Sequence, residues 1–277
     1  MQNNESLKIN YIGMTDVGNV RELNEDTILV HGENGLFVVA DGMGGHGAGD
    51  KASQTVCQVL EDRIGSVDPD HDVEEDDDAT VINIFGSETE EDDSDEATSN
   101  EVPNPIVDSV SSAVVAANFE VFRKNSEDGF KEGQGMGTTV AGMWVYGEGE
   151  YACLFHIGDS RVYRFRRNEL VQLTTDHSMF EEWKRKGQVG EPPKKNILMK
   201  AMGPFSHIEP DTVISMLTKG DIFLICSDGL TGMITDAMIA DILAKSADID
   251  QACAKLIDEA KAHGGKDNVS VILVQSI

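Results

Sequence analysis

Four times in this sequence an apolar stretch meets an aspartate, at one end or the other, beside a small polar residue or glycine. The cases are VVAD-G (38–42), FHIGD-S (155–160), LICSD-G (224–229) and GGKD-N-VSVILV (264–274). One aspartate at a strand end is ordinarily a turn residue, because its side chain bonds the backbone two residues on. Four of them abutting buried strands imply more. Strands that share a core bring their ends together, and uncompensated carboxylates gathered there repel one another. A divalent cation removes that cost. No Cys or His pair stands beside these aspartates, so the donors are carboxylate and carbonyl oxygens, which favour Mg²⁺ or Mn²⁺ over Zn²⁺. Gly42, directly after Asp41, lets a backbone carbonyl approach an ion unobstructed. Two ions sharing a carboxylate can lower the pKa of a water and aim it at phosphorus, which is hydrolase chemistry. Upstream, R-E-L-N-E-D (21–26) adds Glu25 and Asp26 as direct or outer acids. Arg21 in the same run is either a surface ion-pair partner or a clamp for two phosphate oxygens.

The elements that must carry these residues alternate irregularly. Short strands are expected at Leu7–Gly13 and Thr27–Val30, and a buried one at Gly35–Asp41. Ala52, Val56, Val59, Leu60 and Ile64 line one face of a helix over 48–64, and Pro105 opens another over 105–124. Strand-like segments at 138–146, 150–157, 161–166 and 170–173 suit an antiparallel meander. A helix is expected at 177–186, strands at 222–226 and 269–274, and two helices between them, at 236–246 and 250–263. Strand blocks with helices outside and no regular βαβ repeat indicate the α+β class.

The chain has 277 residues, enough for one large domain, and a formal net charge of −28. A stretch from 66 to 108 holds 17 Asp or Glu and no Lys or Arg, which leaves about −11 for the rest. Its runs EEDDD (74–78) and EEDDSDE (90–96) repel themselves, so this insertion is expected to be disordered. The apolar island TVINIF (80–85) inside it offers a docking element for a basic partner. The overall charge excludes a nucleic-acid surface. The longest apolar runs are too short to cross a bilayer, and the polar first ten residues lack a secretory pattern. Cys57, Cys153, Cys226 and Cys253 are scattered, without metal or disulfide spacing. A cytoplasmic monomer, away from membranes, is the expectation.

Taken in order, TDVGNVRELNED, VVADGMGGHGAG, GMGTTV, HIGDSRVYRF, LTTDHS, LICSDGL and KDNVSVILV resemble the metal-dependent protein phosphatases of type 2C, in their bacterial form. The resemblance covers about 9–64 and 109–274. It implies an α-β-β-α sandwich of two antiparallel sheets with helices outside. It also implies hydrolysis of phosphoserine and phosphothreonine in proteins by a metal-bridging hydroxide, reversing a kinase. Asp41 would bridge two Mn²⁺ or Mg²⁺ ions. Asp228 and Asp267 would complete the first, and the Gly42 carbonyl would serve the second with Glu25 acting through water. Asp26 and Asn268 would support them, Arg21 would bind phosphate and His46 would act as general acid. Asp159 with Asp228 would hold a third, weaker ion. The segment 176–202 resembles the family's flap, though its GEPPKKN (190–196) is individual, and the acidic insertion has no counterpart in the minimal bacterial pattern. His177 acquires no role.

Rival motifs are weaker. Gly42–Gly47 fits G-x-G-x-x-G, yet Asp41 and Asp50 flank it and would repel a pyrophosphate. Cys57 and Arg63 have the C-x5-R spacing of thiol phosphatases, but the residues between include no glycine and two acids. A catalytically dead phosphoprotein-binding module would be expected to lack metal aspartates. A phosphatase acting on an anti-sigma-factor antagonist would share the chemistry and differ in substrate.

Overall fold

Strand β3 (Leu36–Met43) shows how the layers arise. Leu36, Val38 and Ala40 pack toward helices, while Phe37 and Val39 pack toward a second sheet, all fully buried. A strand covered on both faces reads as a continuous apolar run rather than an alternating one. The structure, a computed structural model, describes residues 9–44, 48–64, 104–194 and 196–277. Gly45, His46, Gly47 and the acidic run 66–103 lie outside the described residues.

One sheet has the order β1 (Ile9–Asp16), β11 (Val269–Ser276), β10 (Ile222–Cys226), β7 (Arg161–Arg166) and β8 (Glu169–Gln172). The other runs β2 (Asp26–His31), β3, β5 (Val140–Tyr146), β6 (Tyr151–Ile157) and β9 (Asp211–Met216). The two-residue β4 (Gly137–Thr138) pairs with the end of β3. Every pairing among the described residues is antiparallel. Helices α1 (Gly49–Ile64) and α2 (Pro105–Glu127) cover the second sheet around Trp144 and Phe155. Helices α5 (Asp236–Lys245) and α6 (Ile249–Ala262) cover the first around Tyr163 and Leu224. The innermost layer, with Phe37, Met143, Phe223 and Ile272, lies between the sheets. This is the four-layer α+β sandwich.

Several expectations need correction. Residues 104–108 belong not to the insertion but to the cap and first turn of α2, where the Asn104 side chain accepts from the Ile106 and Val107 N–H groups at 3.0 and 3.4 Å. The expected four-strand meander is two hairpins in different sheets, because β6 pairs β5 and β9 whereas β7 pairs β10 and β8. The chain crosses between sheets at Gly158–Ser160, the turn that carries Asp159. Gly158 has φ +104°, and a Cβ there would lie 2.6 Å from Thr139 Cγ2, so only glycine fits. Strand β9 and the single-turn helix α4 (Asp228–Thr231) had no sequence expectation. Helix α2 is long and apolar enough, by length and composition, to cross a bilayer. Its Ile106, Val110, Val114, Ala117 and Val121 are instead buried in the core.

In the flap-like segment, α3 (Met179–Arg185) is capped by the Ser178 hydroxyl accepting from Glu181 N–H. Residues 177–179 and 197–199 close its base, through a Ser178–Leu198 bridge and bonds from Met179 N to Ile197 O and from Met199 N to His177 O.

Candidate metal centre

Pairing register gathers the acids. Asp26, first residue of β2, lies opposite Asp41 near the end of β3. Asp228 follows β10 by two residues and Asp267 precedes β11 by two, in adjacent strands of the other sheet. Asp159 sits in the crossover between the sheets. The strand ends and the turn that carry the expected aspartates therefore lie at one edge of the sandwich.

Asp26 is the most enclosed. Its Oδ2 accepts from the Ser227 and Ser270 hydroxyls at 2.8 and 2.7 Å, and its Oδ1 is buried with no hydrogen-bond partner among the described residues. Burial pushes this carboxyl up to about 6 against those two hydroxyls, with Asp228 and Asp267 adding to the rise. Burial also drives the Asp41 carboxyl well above its ordinary range, reinforced by Asp26, Asp228, Asp159 and Asp267. Asp228 is raised by burial and by Asp267, and a hydrogen bond with Asp41 partly offsets this. Asp159 is pushed to about 7 by burial, then by Asp228 and Asp176, with Arg161 opposing.

The backbone around them is fixed with equal care. Thr139 N–H and the Thr138 hydroxyl donate to Asp41 O at 2.9 and 2.8 Å, while Asp41 N–H donates to Thr139 Oγ1 at 3.1 Å. A Cβ on Gly42 would lie 2.2 Å from Gly49 O and 2.5 Å from Glu25 O. Glycine is therefore demanded by close packing of β3 on the start of α1, as well as by any approach of an ion. Glu25 Oε1 accepts from Gly49 N–H at 3.1 Å. Asn268 accepts from Glu25 N–H at 2.8 Å and donates to Val17 O and Leu23 O at 3.0 and 2.9 Å, so it holds the loop that presents Arg21. Arg21 donates to Asp267 Oδ2 at 2.8 Å from an exposed position. His46 lies outside the described residues.

The donor set fits hard divalent ions. A buried carboxylate oxygen without a partner among the described residues, beside carboxyls raised by burial and by neighbouring charge, is stabilised by added positive charge. The thiol reading fails on the same physics, because Cys57 is buried in α1 and pushed to about 12, chiefly by burial.

Sequence reasoning assigned no role to several residues that shape the site. Ser227 and Ser270 hold Asp26, and Thr138 and Thr139 hold Asp41. Arg161 binds Asp176 through two bonds of 2.7 Å and also donates to Tyr163 at 2.8 Å. The signal was present as hydroxyls beside the strand-end aspartates, but a serine next to an aspartate is too common to stand out.

Residues 19–269 match the protein phosphatase 2C family. The serine/threonine phosphatase stp of Listeria welshimeri is 31% identical over 94% of this chain and 93% of its own length. The chain belongs to the protein phosphatase 2C family. A putative 2C-type phosphatase of Streptococcus pyogenes is 32% identical over 95% of both chains. Among solved structures, the PstP catalytic domain in complex with two manganese ions has a TM-score of 0.75 at 28% identity, covering 96% of this chain and 97% of that one. The Streptococcus agalactiae serine/threonine phosphatase has a TM-score of 0.77 at 30% identity, over 97% and 100%. The sandwich and the enzymatic reading stand with the family: this chain is a protein phosphatase.

Proposed function

We propose that this phosphatase hydrolyses phosphoserine and phosphothreonine in proteins with two Mn²⁺ or Mg²⁺ ions, and a weaker third. The observation that carries the reading is the gathering of Asp41, Asp228, Asp267, Asp159 and Asp26 at one sheet edge, with Arg21 against Asp267. Asp41 would be shared by two ions. Asp228 and Asp267 would hold the first; the Gly42 carbonyl, with Glu25 through water, would hold the second. Asp159 and Asp228 would take the third, and Asp26 and Asn268 would keep these ligands in place. When bound, the ions would polarise phosphoryl oxygens and make water a nucleophile at neutral pH.

The chain's own groups do the rest. Displacement by water breaks the bond between phosphorus and the serine or threonine oxygen, so the phosphoryl oxygens must be held and the leaving oxygen protonated. Arg21, exposed and hinged on Asp267, can turn its planar guanidinium to two of those oxygens. His46 is the proposed proton donor. A cleft of about 400 Å³ between the flap and the acids, lined by Asp159, Asp228, Arg161, Ser178, Phe180 and Lys184, gives the flanking peptide a place to lie. The acidic run 66–103 is proposed to attract a basic partner, and the protein to act as a cytoplasmic monomer.

The test is hydrolysis of a phosphothreonine peptide after chelation. Returned Mn²⁺ should restore it in the native protein. Asp41→Asn should lose more than about 100-fold, since even outer ligand-holding groups cost 10- to 100-fold. Undiminished activity in that variant would overturn the assignment.

A further inference from the structure

His177 received no role from its motif, yet it ties the base of the flap-like segment to β6 and to the Asp159 turn. Its side chain is only 10% exposed. It stacks on His156 of β6 with ring centroids 4.5 Å apart and planes at 13°. Its backbone N–H donates to Gly158 O at 2.8 Å, and its carbonyl accepts from Met199 N–H at 2.7 Å. In return, Gly158 N–H donates to His177 Nδ1 at 3.1 Å. Gly158 and His177 thus hold each other through two bonds, one residue before Asp159.

The second bond fixes the protonation of the ring. A backbone N–H can only donate, so Nδ1 must offer a lone pair and the ring proton must sit on Nε2. Nε2 faces Asp211 Oδ2 at 3.2 Å, in ion-pair range though not aligned as a hydrogen bond. Lys200 Nζ holds the other Asp211 oxygen at 3.1 Å. Burial would raise the Asp211 carboxyl, but the bonded Lys200 ammonium, with the His177 ring beside it, keeps it below its usual range. His156 obeys the same logic, because its Nε2 lies 2.8 Å from Thr175 O, which can only accept. Donor atoms of His156, His177 and Asp211 lie within 4.8 Å of one another. With the ring proton on Nε2, His177 has no lone pair to offer an ion there, so these three groups read as a hydrogen-bonding cluster.

We propose that His177 is a positioning residue: as a neutral imidazole protonated on Nε2, it accepts the Gly158 N–H and fixes the Asp159 turn to the base of the flap. The opposite side of that turn is held by Thr139, whose hydroxyl bonds the Ser160 hydroxyl at 2.7 Å and accepts from Asp41 N–H. Gly158 is pressed on the same threonine. One turn is therefore clamped between the strand end of Asp41 and the point where the flap begins. A proton on Nδ1 would set one N–H against another and release the flap side of the clamp. Burial and the stacked His156 both favour the neutral ring, against Asp211. The consequence for metal binding rests on the proposed role of Asp159; the hydrogen bond itself does not.

Two variants separate the roles of the ring nitrogens. In His177→Asn the amide oxygen can occupy the place of Nδ1, whereas His177→Gln reaches toward Nε2 and leaves Gly158 without an acceptor. In metal-free native protein at pH 7, long-range ¹H–¹⁵N spectra should show His177 as the Nε2–H tautomer, with the Gly158 amide protected from exchange. His177→Asn should keep most of that protection and His177→Gln should lose it. Mn²⁺ binding followed by electron paramagnetic resonance should weaken at the third, weaker site by about 10- to 100-fold in His177→Gln and far less in His177→Asn. An Nδ1–H tautomer or an imidazolium in the native protein, or equal behaviour of the two variants, would overturn the proposal. Asp159→Asn checks the metal reading separately. If it keeps every Mn²⁺ site, the reading of Asp159 fails while the spectra still decide for or against the His177 bond.

Discussion

At the scale of single residues, the fold holds four carboxyl groups of the site, Asp26, Asp41, Asp159 and Asp228, in a state they would not choose in water. Asp26 is the clearest case, being 8% exposed, tied to two serine hydroxyls on one oxygen and, among the described residues, without a partner on the other. Its folded pKa, about 6, lies above an unfolded value near 4. Above the folded value the native state must therefore carry a charge that burial opposes. The stability linked to such a group is fully present below the unfolded pKa and is lost as pH rises through the folded one. Asp159, at about 7, has the same sign. Metal-free protein should therefore lose melting temperature between about pH 4 and 7, and saturating Mn²⁺ should restore it. Asp26→Asn keeps the shape and removes the charge, so without metal it should be more stable than native at pH 7.5 by about 2–3 kcal/mol. Thermal melts across pH in chelator check this; an unchanged slope in Asp26→Asn would contradict it.

Among elements, the acids are held by crossings between layers rather than by any one strand. Arg161 on β7 grips Asp176 at the start of the flap segment and Tyr163 on its own strand, and the Tyr163 hydroxyl donates to Asp236 in the first turn of α5 at 3.1 Å. Both members of the ion pair are largely buried, so removing one leaves the other charge stranded. Arg161→Met should cost about 3 kcal/mol in chemical denaturation, and Asp176→Asn combined with it should recover part of that loss. Strict additivity of the two would argue against the pair. Much of this scale was legible beforehand. Strands buried on both faces, such as 36–40 and 222–226, announce themselves as apolar runs, and α1 and α6 by helical spacing. Strand β9 was not legible, because it is an edge whose Val213 and Met216 are exposed, so its pattern is neither continuous nor alternating. The false meander had a physical cause too: a Gly-Asp-Ser turn reads the same whether the chain returns to its own sheet or crosses to the other.

For the molecule as a whole, two sheets stacked face to face place the ends of β3, β10 and β11 and the β6–β7 crossover at one rim. That geometry is why acids more than 200 residues apart, such as Asp26 and Asp228, belong to one centre. The strand-end aspartates could be read from sequence because each stands at a motif. The hydroxyls that hold them could not, since Ser227, Ser270 and Thr139 become special only once three strands are assembled. His177 shows the same limit, as its partner Gly158 is distant in sequence and its tautomer is a property of the pairing. The central claim is that this rim binds divalent metal through the gathered carboxylates. Titrating metal-free protein with Mn²⁺ at pH 6 in two buffers of different ionisation enthalpy tests it most directly. Calorimetry should find two tight ions and a net release of protons, because binding displaces protons from carboxyls whose pKa values burial has raised. Asp41→Asn should lose at least one ion and most of that release. Binding without proton release, or unchanged binding in Asp41→Asn, would contradict the account.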